Sequence, residues 1–240
     1  MILTTFRKLK QQSFRILLGT TFVVLCCGIL LVDGKVDDLR SLPRAPATTT
    51  VLNTAVQSQS VLVQTDRGSG SGIVLKHGDG GTLILTCAHT LIDAQRYAVM
   101  HRVYHPETGA PAAMLGVDAE LVRVDYEKDL ALLLTAMPLE NRNPVMFSGY
   151  PVLVGDPIYT IGAPYGLVGA FAHGFVSHTE SPTNFYVDMP IGPGNSGGAI
   201  YNRHGEVIGL AQGVLSFDLY SQLGIVIRTS VIAEFLTAEE

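Results

Sequence analysis

From about residue 58 onward the chain is a series of short β-type runs, each ended by a Gly or Pro turn. That rhythm constrains the fold more than any other feature. One group of runs comprises Val61–Thr65, Gly72–Leu75, Leu83–Thr86, Tyr97–Val103, Leu121–Val124 and Leu130–Leu134. A second comprises Pro157–Ile161, Ala170–Val176, Phe185–Met189, Gly198–Tyr201, Val207–Leu215 and Ile225–Ile227. Clusters such as Lys76–Gly81 and Asn202–Gly205 separate them. Many short strands at spacings of about 8–12 residues imply an all-β barrel or sandwich. Only Thr229–Ala238 reads as helical, with Val231, Ile232, Phe235 and Leu236 on one face. Two groups of about six strands predict two six-stranded antiparallel β-barrels, one over about 58–140 and one over about 145–228, followed by a short C-terminal helix over 229–238. No internal repeat is visible in the residues themselves.

The first part of the chain follows different rules. Ile16–Val32 is an uncharged, apolar run of 17 residues. As a helix it would span roughly 25 Å, just short of a hydrocarbon core of ~30 Å, and Arg15 can snorkel to extend its reach. Residues 1–32 carry four Lys and Arg and no acid, whereas the other 208 carry 12 Lys and Arg against 21 Asp and Glu, a net of −9. This asymmetry and the positive-inside rule predict a cytoplasmic tail (1–15), a transmembrane helix (16–32) and an extracytoplasmic remainder. No convincing small-x-small cleavage site follows the run, which favours an uncleaved signal-anchor over a removed signal peptide. Residues 33–57, rich in Ser, Thr, Ala and Gln with two prolines, read as a linker. With 47% hydrophobic and 15% charged residues and no basic block, the chain is neither disordered nor built for nucleic acid. Three cysteines cannot make a disulfide scaffold.

Three segments pair a reactive side chain with suitable local geometry. In Gly194-Asn195-Ser196-Gly197-Gly198 a serine sits where the backbone turns sharply, and successive N–H groups can form a nest for an oxyanion. In Leu85-Thr86-Cys87-Ala88-His89 a histidine follows a strand end, in place for a general base. In Asp129-Leu130-Ala131-Leu132-Leu133 an acid borders an apolar strand, where a desolvated carboxylate could orient an imidazole. Each alone is commoner as an ordinary turn or strand cap. Together they give the order His89, Asp129, Ser196, with gaps of 40 and 67 residues. That is the chain order of chymotrypsin-type enzymes, distinct from subtilisins and α/β-hydrolases.

With these residues in hand, 61–236 resembles a trypsin-like serine protease domain of the HtrA/Deg type. The resemblance also rests on Gly68–Leu75, Ile161-Gly162-Ala163-Pro164-Tyr165-Gly166-Leu167 and Gly224-Ile225-Val226-Ile227. It implies a chymotrypsin-like fold and a serine endopeptidase acting on proteins or peptides. It implies Ser196 as nucleophile, His89 as base, and Asp129 as its orienting acid. Gly194, Asn195 and Ser196 would form the oxyanion hole. Pro190, Ile191 and the strand Leu210, Ala211, Gln212, Gly213 would line the primary pocket. That lining carries no charge, so small to medium apolar side chains are expected before the cleaved bond.

No cofactor, metal or nucleic acid is called for, and the membrane is met through 16–32. The chain departs from the family pattern in three ways. The protease-like segment reaches the last residues, so the family's C-terminal PDZ domain is not expected. Its linker lacks the aromatics of the family's usual trimer contacts, which leaves homo-oligomer formation open. Asn195 stands where zymogen activation uses an Asp. Cys87 reads as a small buried residue. His101 and His105 read as a solvated strand end rather than a metal site. The rival reading is a catalytically silent protein-binding module on the same fold.

Overall fold

The structure is a computed structural model and describes residues 52–53, 56–78, 80–104, 111–139, 141–216 and 222–238. The basic tail, the apolar run 16–32 and most of the linker lie outside these residues. Among the described residues no helix is long and apolar enough to cross a membrane. Residues Pro46–Phe235 form one compact unit.

Among the described residues twelve strands form, one over each of the short β-type runs of the sequence. They are β1 (Ser60–Thr65), β2 (Ser69–Gly78), β3 (Gly81–Thr86), β4 (Tyr97–Tyr104), β5 (Pro111–Asp125) and β6 (Leu130–Thr135), then β7 (Pro157–Gly162), β8 (Ala170–His178), β9 (Asn184–Val187), β10 (Ala199–Tyr201), β11 (Val207–Ser216) and β12 (Gln222–Arg228). The first six close into a barrel in the order β1-β2-β3-β6-β5-β4, the last six in the order β10-β11-β12-β9-β8-β7. Read in the opposite sense, the second order is β7-β8-β9-β12-β11-β10, the same topology as the first. The two barrels therefore share one plan although their residues show no repeat. All strand pairs are antiparallel, so closure leaves neither sheet with a long open edge.

Each barrel has its own core. Val61, Val63, Val74, Ile84, Val99, Ala131 and Leu133 fill the first; Ile158, Val176, Phe185, Val187, Ile200, Ile208 and Val226 fill the second. A buried Phe or Leu contributes roughly 1.5–3 kcal/mol, so two such clusters carry the two barrels. β5 is far longer than the Leu121–Val124 expected. Its first half pairs with β4 as a hairpin whose side chains from Ala113 to Gly116 are exposed, so no apolar alternation marked it. Leu52 and Val56, in the stretch read as linker, are buried and lie over Gly205.

The C-terminal helix, α1 (Thr229–Thr237), buries Val231, Ile232 and Phe235. It follows barrel two but returns to barrel one. Arg123 of β5 lies 5.2 Å over the Phe235 ring and donates to the Phe235 carbonyl at 2.7 Å. A cation on the carbonyl end of a helix is where the macrodipole favours it.

Candidate active site

Barrel one supplies two of the three candidate groups. β3 ends in a 3-10 turn, Ala88–Leu91, whose Ala88 and Leu91 are anchored in the core while the His89 side chain stays 42% exposed. The turn between β5 and β6 presents Asp129. Asp125 fixes that turn by accepting from the Lys128 N–H at 2.9 Å and from its ammonium at 3.2 Å. Asp129 itself adopts φ 55°, a left-handed conformation that Asp tolerates better than most side chains. Its carboxylate accepts the His89 N–H at 2.8 Å and His89 Nδ1 at 3.0 and 2.8 Å. A carboxylate accepts only, so Nδ1 carries the proton and Nε2 is left with its lone pair. Burial pushes Asp129 up, but the bonds from His89 and from Gln212 outweigh it and hold the carboxyl below its usual range.

Barrel two supplies Ser196, in a turn that only glycine can build. Gly194 has φ +98°, and a Cβ there would lie 2.3 Å from the Ala163 carbonyl oxygen. Gly197 has φ +87°, and a Cβ there would lie 2.2 Å from the Ser71 carbonyl oxygen. The Ser196 hydroxyl donates to the Gln212 carbonyl at 3.0 Å. The Pro193 carbonyl is held by the Tyr165 N–H at 2.8 Å. Across a trans peptide the next N–H points the opposite way, so Gly194 N–H is aimed away from that bond. Among the described residues neither the Gly194 nor the Ser196 N–H has an acceptor. Two N–H groups flanking a hydroxyl can take up the charge that develops when an alkoxide adds to a carbonyl.

Several expectations need correction. Asn195 cannot serve the oxyanion hole, because its N–H closes the turn onto the Gly192 carbonyl at 3.0 Å and its side chain is buried. Leu210 and Ala211 are fully buried, and both backbone groups of Ala211 are taken by Gly197 and Gly198, so neither side chain lines an open pocket. Gln212 turns its amide toward Asp129 at 3.0 Å rather than toward a pocket. Pro190 is exposed. Ile191 is 8% exposed and packs where a Cβ on Gly224 would lie, 2.5 Å from its Cδ1. His101, read as solvated, is buried on β4 because β5 continues past it as a paired strand; His105 lies outside the described residues.

Ser71 was in plain view within a Gly-Ser run but carried no expected role. It is fully buried and ties the barrels together. Its hydroxyl donates to the Gly194 carbonyl at 2.7 Å and accepts the Ala163 N–H at 3.1 Å. Its N–H donates to the Ser196 carbonyl at 2.8 Å, and its own carbonyl accepts from Thr86 Oγ1 at 2.7 Å. Cys87 is buried and free, its thiol 3.4 Å from the Ala211 carbonyl, and burial followed by the nearby Asp129 charge pushes the thiol well up. Donor atoms of Cys87, His89 and Asp129 lie within 4.8 Å of one another, but the His89–Asp129 bond already uses the last two.

β10 covers only Ala199–Tyr201, so beyond Ala211 the β11 strand is paired on its β12 side alone among the described residues. Val214 and Leu215 stand exposed there, at 41% and 39%.

Comparison with known proteins places this geometry. The trypsin-like peptidase domain family matches residues 70–210. A serine protease HtrA-like protein of Staphylococcus epidermidis is 28% identical over 180 residues, 68% of this chain and 29% of that one. The chloroplastic protease Do-like 2 of Arabidopsis thaliana is 31% identical over 183 residues, 72% of this chain and 28% of that one. The crystal structure of the serine endoprotease from Yersinia pestis superposes with a TM-score of 0.63 at 29% identity, covering 81% of this chain and 68% of that one. The chain thus spans less than a third of the length of these two curated relatives.

Proposed function

The chain belongs to the trypsin-like peptidase family, and from that premise we propose that it is an HtrA-type serine endopeptidase working through Ser196, His89 and Asp129. The observation that carries the reading is the fixed tautomer of His89. With Nδ1–H bound to the Asp129 carboxylate, Nε2 is the base on the side of the imidazole away from Asp129. Ser196 Oγ attacks the substrate carbonyl as His89 takes its proton; the Gly194 and Ser196 N–H groups hold the oxyanion. His89 then protonates the leaving amine, and water resolves the acyl-enzyme by the reverse sequence. Each oxyanion donor contributes about 3–4 kcal/mol of transition-state stabilisation in a comparable site.

The open edge of β11 from Gln212 to Leu215 receives the substrate as an added strand, supplying main-chain hydrogen bonds without sequence preference. Selectivity falls to the surroundings of Gly224, against which Ile191 and Val187 pack. Small to medium apolar residues before the cleaved bond suit these surroundings. The apolar run 16–32 anchors the domain on the extracytoplasmic side, where protein substrates are met.

Reaction with a fluorophosphonate probe tests the reading. Labelling of the intact protein, absent in Ser196→Ala together with casein hydrolysis, is the expected result. An unlabelled, inert protein that still binds unfolded chains would establish the silent binding module instead. A peptide library dominated by Lys or Arg at the residue before cleavage would sink the pocket assignment.

A further inference from the structure

Gln212 occupies a β-bulge. Opposite β12, Ala211 pairs with Val226 and Gly213 with Ile225, so Gln212 is the extra residue and its side chain is re-aimed. Its amide lies between two partners: Nε2 donates to Asp129 Oδ2 at 3.0 Å, and Oε1 accepts from Asn184 Nδ2 at 3.0 Å. The directions of these bonds are forced. A carboxylate only accepts, so the Gln212 NH2 must face Asp129 and its oxygen must face Asn184. Asn184 must then present its NH2, and its own oxygen accepts from Thr183 Oγ1 at 2.8 Å. Each bond dictates the next, from Thr183 through Asn184 and Gln212 to the carboxylate that holds His89.

The origin of this chain of bonds is the turn 179–183 between β8 and β9, and one residue of β12 clamps it. Arg228 Nε donates to the Ser181 carbonyl at 2.9 Å and to the Asn184 carbonyl at 3.1 Å. Its Nη2 donates to the Thr179 carbonyl, and its N–H to the Thr183 carbonyl at 3.0 Å. The guanidinium also lies 5.8 Å over the buried Phe185 ring. None of these residues was among the candidates for chemistry except Gln212, and Gln212 was expected to meet substrate.

We propose that the Arg228-clamped turn orients Asp129 through Asn184 and Gln212, making these two the positioning residues for the catalytic carboxylate. The inference rests on the serine endopeptidase reading and adds to it. A donor on Oδ2 resists rotation of the carboxylate away from Nδ1 and favours its ionised form. The other titratable groups facing Asp129 are His89 and the Cys87 thiol. Lys128, its neighbour in the turn, is turned to Asp125 and Glu234.

The test uses the full chain with Gln212→Ala, Gln212→Glu and Asn184→Ala. Two readouts are followed: the His89 Nδ1–H proton by NMR, and kcat and KM on an apolar peptide against pH. In Gln212→Ala the proton resonance should move and exchange faster. The value of kcat should fall roughly 10-fold with KM nearly constant, and the acid-side loss of activity should begin at higher pH. Asn184→Ala should change each readout in the same direction, by roughly 3-fold in kcat. Gln212→Glu keeps the shape of the side chain but loses the donor when ionised. Its activity relative to the parent should recover as pH falls and the acid form donates again. This variant decides the matter if Gln212→Ala does not fold. An unmoved Nδ1–H resonance and an unchanged pH profile in Gln212→Ala and Gln212→Glu would overturn the proposal. The two readings fail separately: the resonance needs no turnover, whereas fluorophosphonate labelling reports the nucleophile without reference to Gln212.

Discussion

Replacing Ser71 with Ala removes one buried hydroxyl from the seam between the barrels, and its cost follows from its bonds. The hydroxyl donates to the Gly194 carbonyl and accepts the Ala163 N–H, while Ala163 is only 2% exposed. The bond to the Gly194 carbonyl is lost at about 0.5–1.5 kcal/mol, and the buried Ala163 N–H is left without an acceptor at about 1–3 kcal/mol, so the total is about 1.5–4.5 kcal/mol. In a domain of this size each kcal/mol moves the midpoint by roughly 2–4 °C, which gives a drop of about 3–18 °C. Activity should fall as well. The Pro193 carbonyl held by Tyr165 belongs to the peptide that aims the Gly194 N–H, and the Gly194 carbonyl held by Ser71 belongs to the next one. Freeing one of them should reduce kcat roughly 10-fold at permissive temperature. Circular dichroism melting and steady-state kinetics on one peptide measure both effects, with Ser69→Ala, an exposed neighbour on β2, as control. If Ser71→Ala melted with the parent and kept its kcat, the seam would not support the turn as argued.

The other expectations are briefer. Gly197→Ala must place a Cβ against the Ser71 carbonyl at positive φ, so denaturant titration should show a loss of more than about 3 kcal/mol; an unchanged midpoint contradicts the turn geometry. Ile191→Ala should cost about 2–4 kcal/mol and shift cleavage toward Leu and Phe in a peptide library; an unshifted profile would mean that Ile191 does not set the pocket depth. Asp129→Asn should reduce kcat/KM by ~10⁴-fold. It should also reshape stability against pH. The folded-state pKa is lowered, so the carboxylate contributes fully above its ordinary value near ~3.9, and the contribution is lost as pH falls through the folded value. The stability gap between parent and variant should therefore close below about pH 4 in pH-dependent melts; a gap that persisted there would have another origin.

What could be read from the residues alone was decided by whether a signal was local. Gly194, Ser196, Gly197 and Gly198 announced a tight turn because no other residue type tolerates it. His89 and Asp129 stood at strand borders, where chain direction alone places a side chain at the barrel rim. β1, β3 and β6 were legible because their core faces are apolar, whereas the outer half of β5 was not, since its exposed hairpin has no buried face to mark. Leu210 and Ala211 were misread for a related reason: the bulge at Gln212 breaks the alternation that assigns faces, and no turn residue signals it. Ser71, Asn184 and Arg228 act across the fold, on partners 123 residues away for Ser71 and 28 for Asn184. Such pairings leave no trace in spacing.

The division of labour between the barrels also bears on how such a chain is made. Barrel one, complete at Thr135, holds His89 and Asp129, the proposed base and its acid; Ser196, the proposed nucleophile, lies in a turn of barrel two, and the strand that carries its hydroxyl's acceptor comes later still. A ribosome-bound or half-unfolded copy with one barrel formed owns at most two of the three groups. On the proposed mechanism, hydrolytic competence would arrive only when the two halves dock through Ser71, late in synthesis, and be withdrawn as soon as they part. Dormancy during biogenesis would then follow from topology.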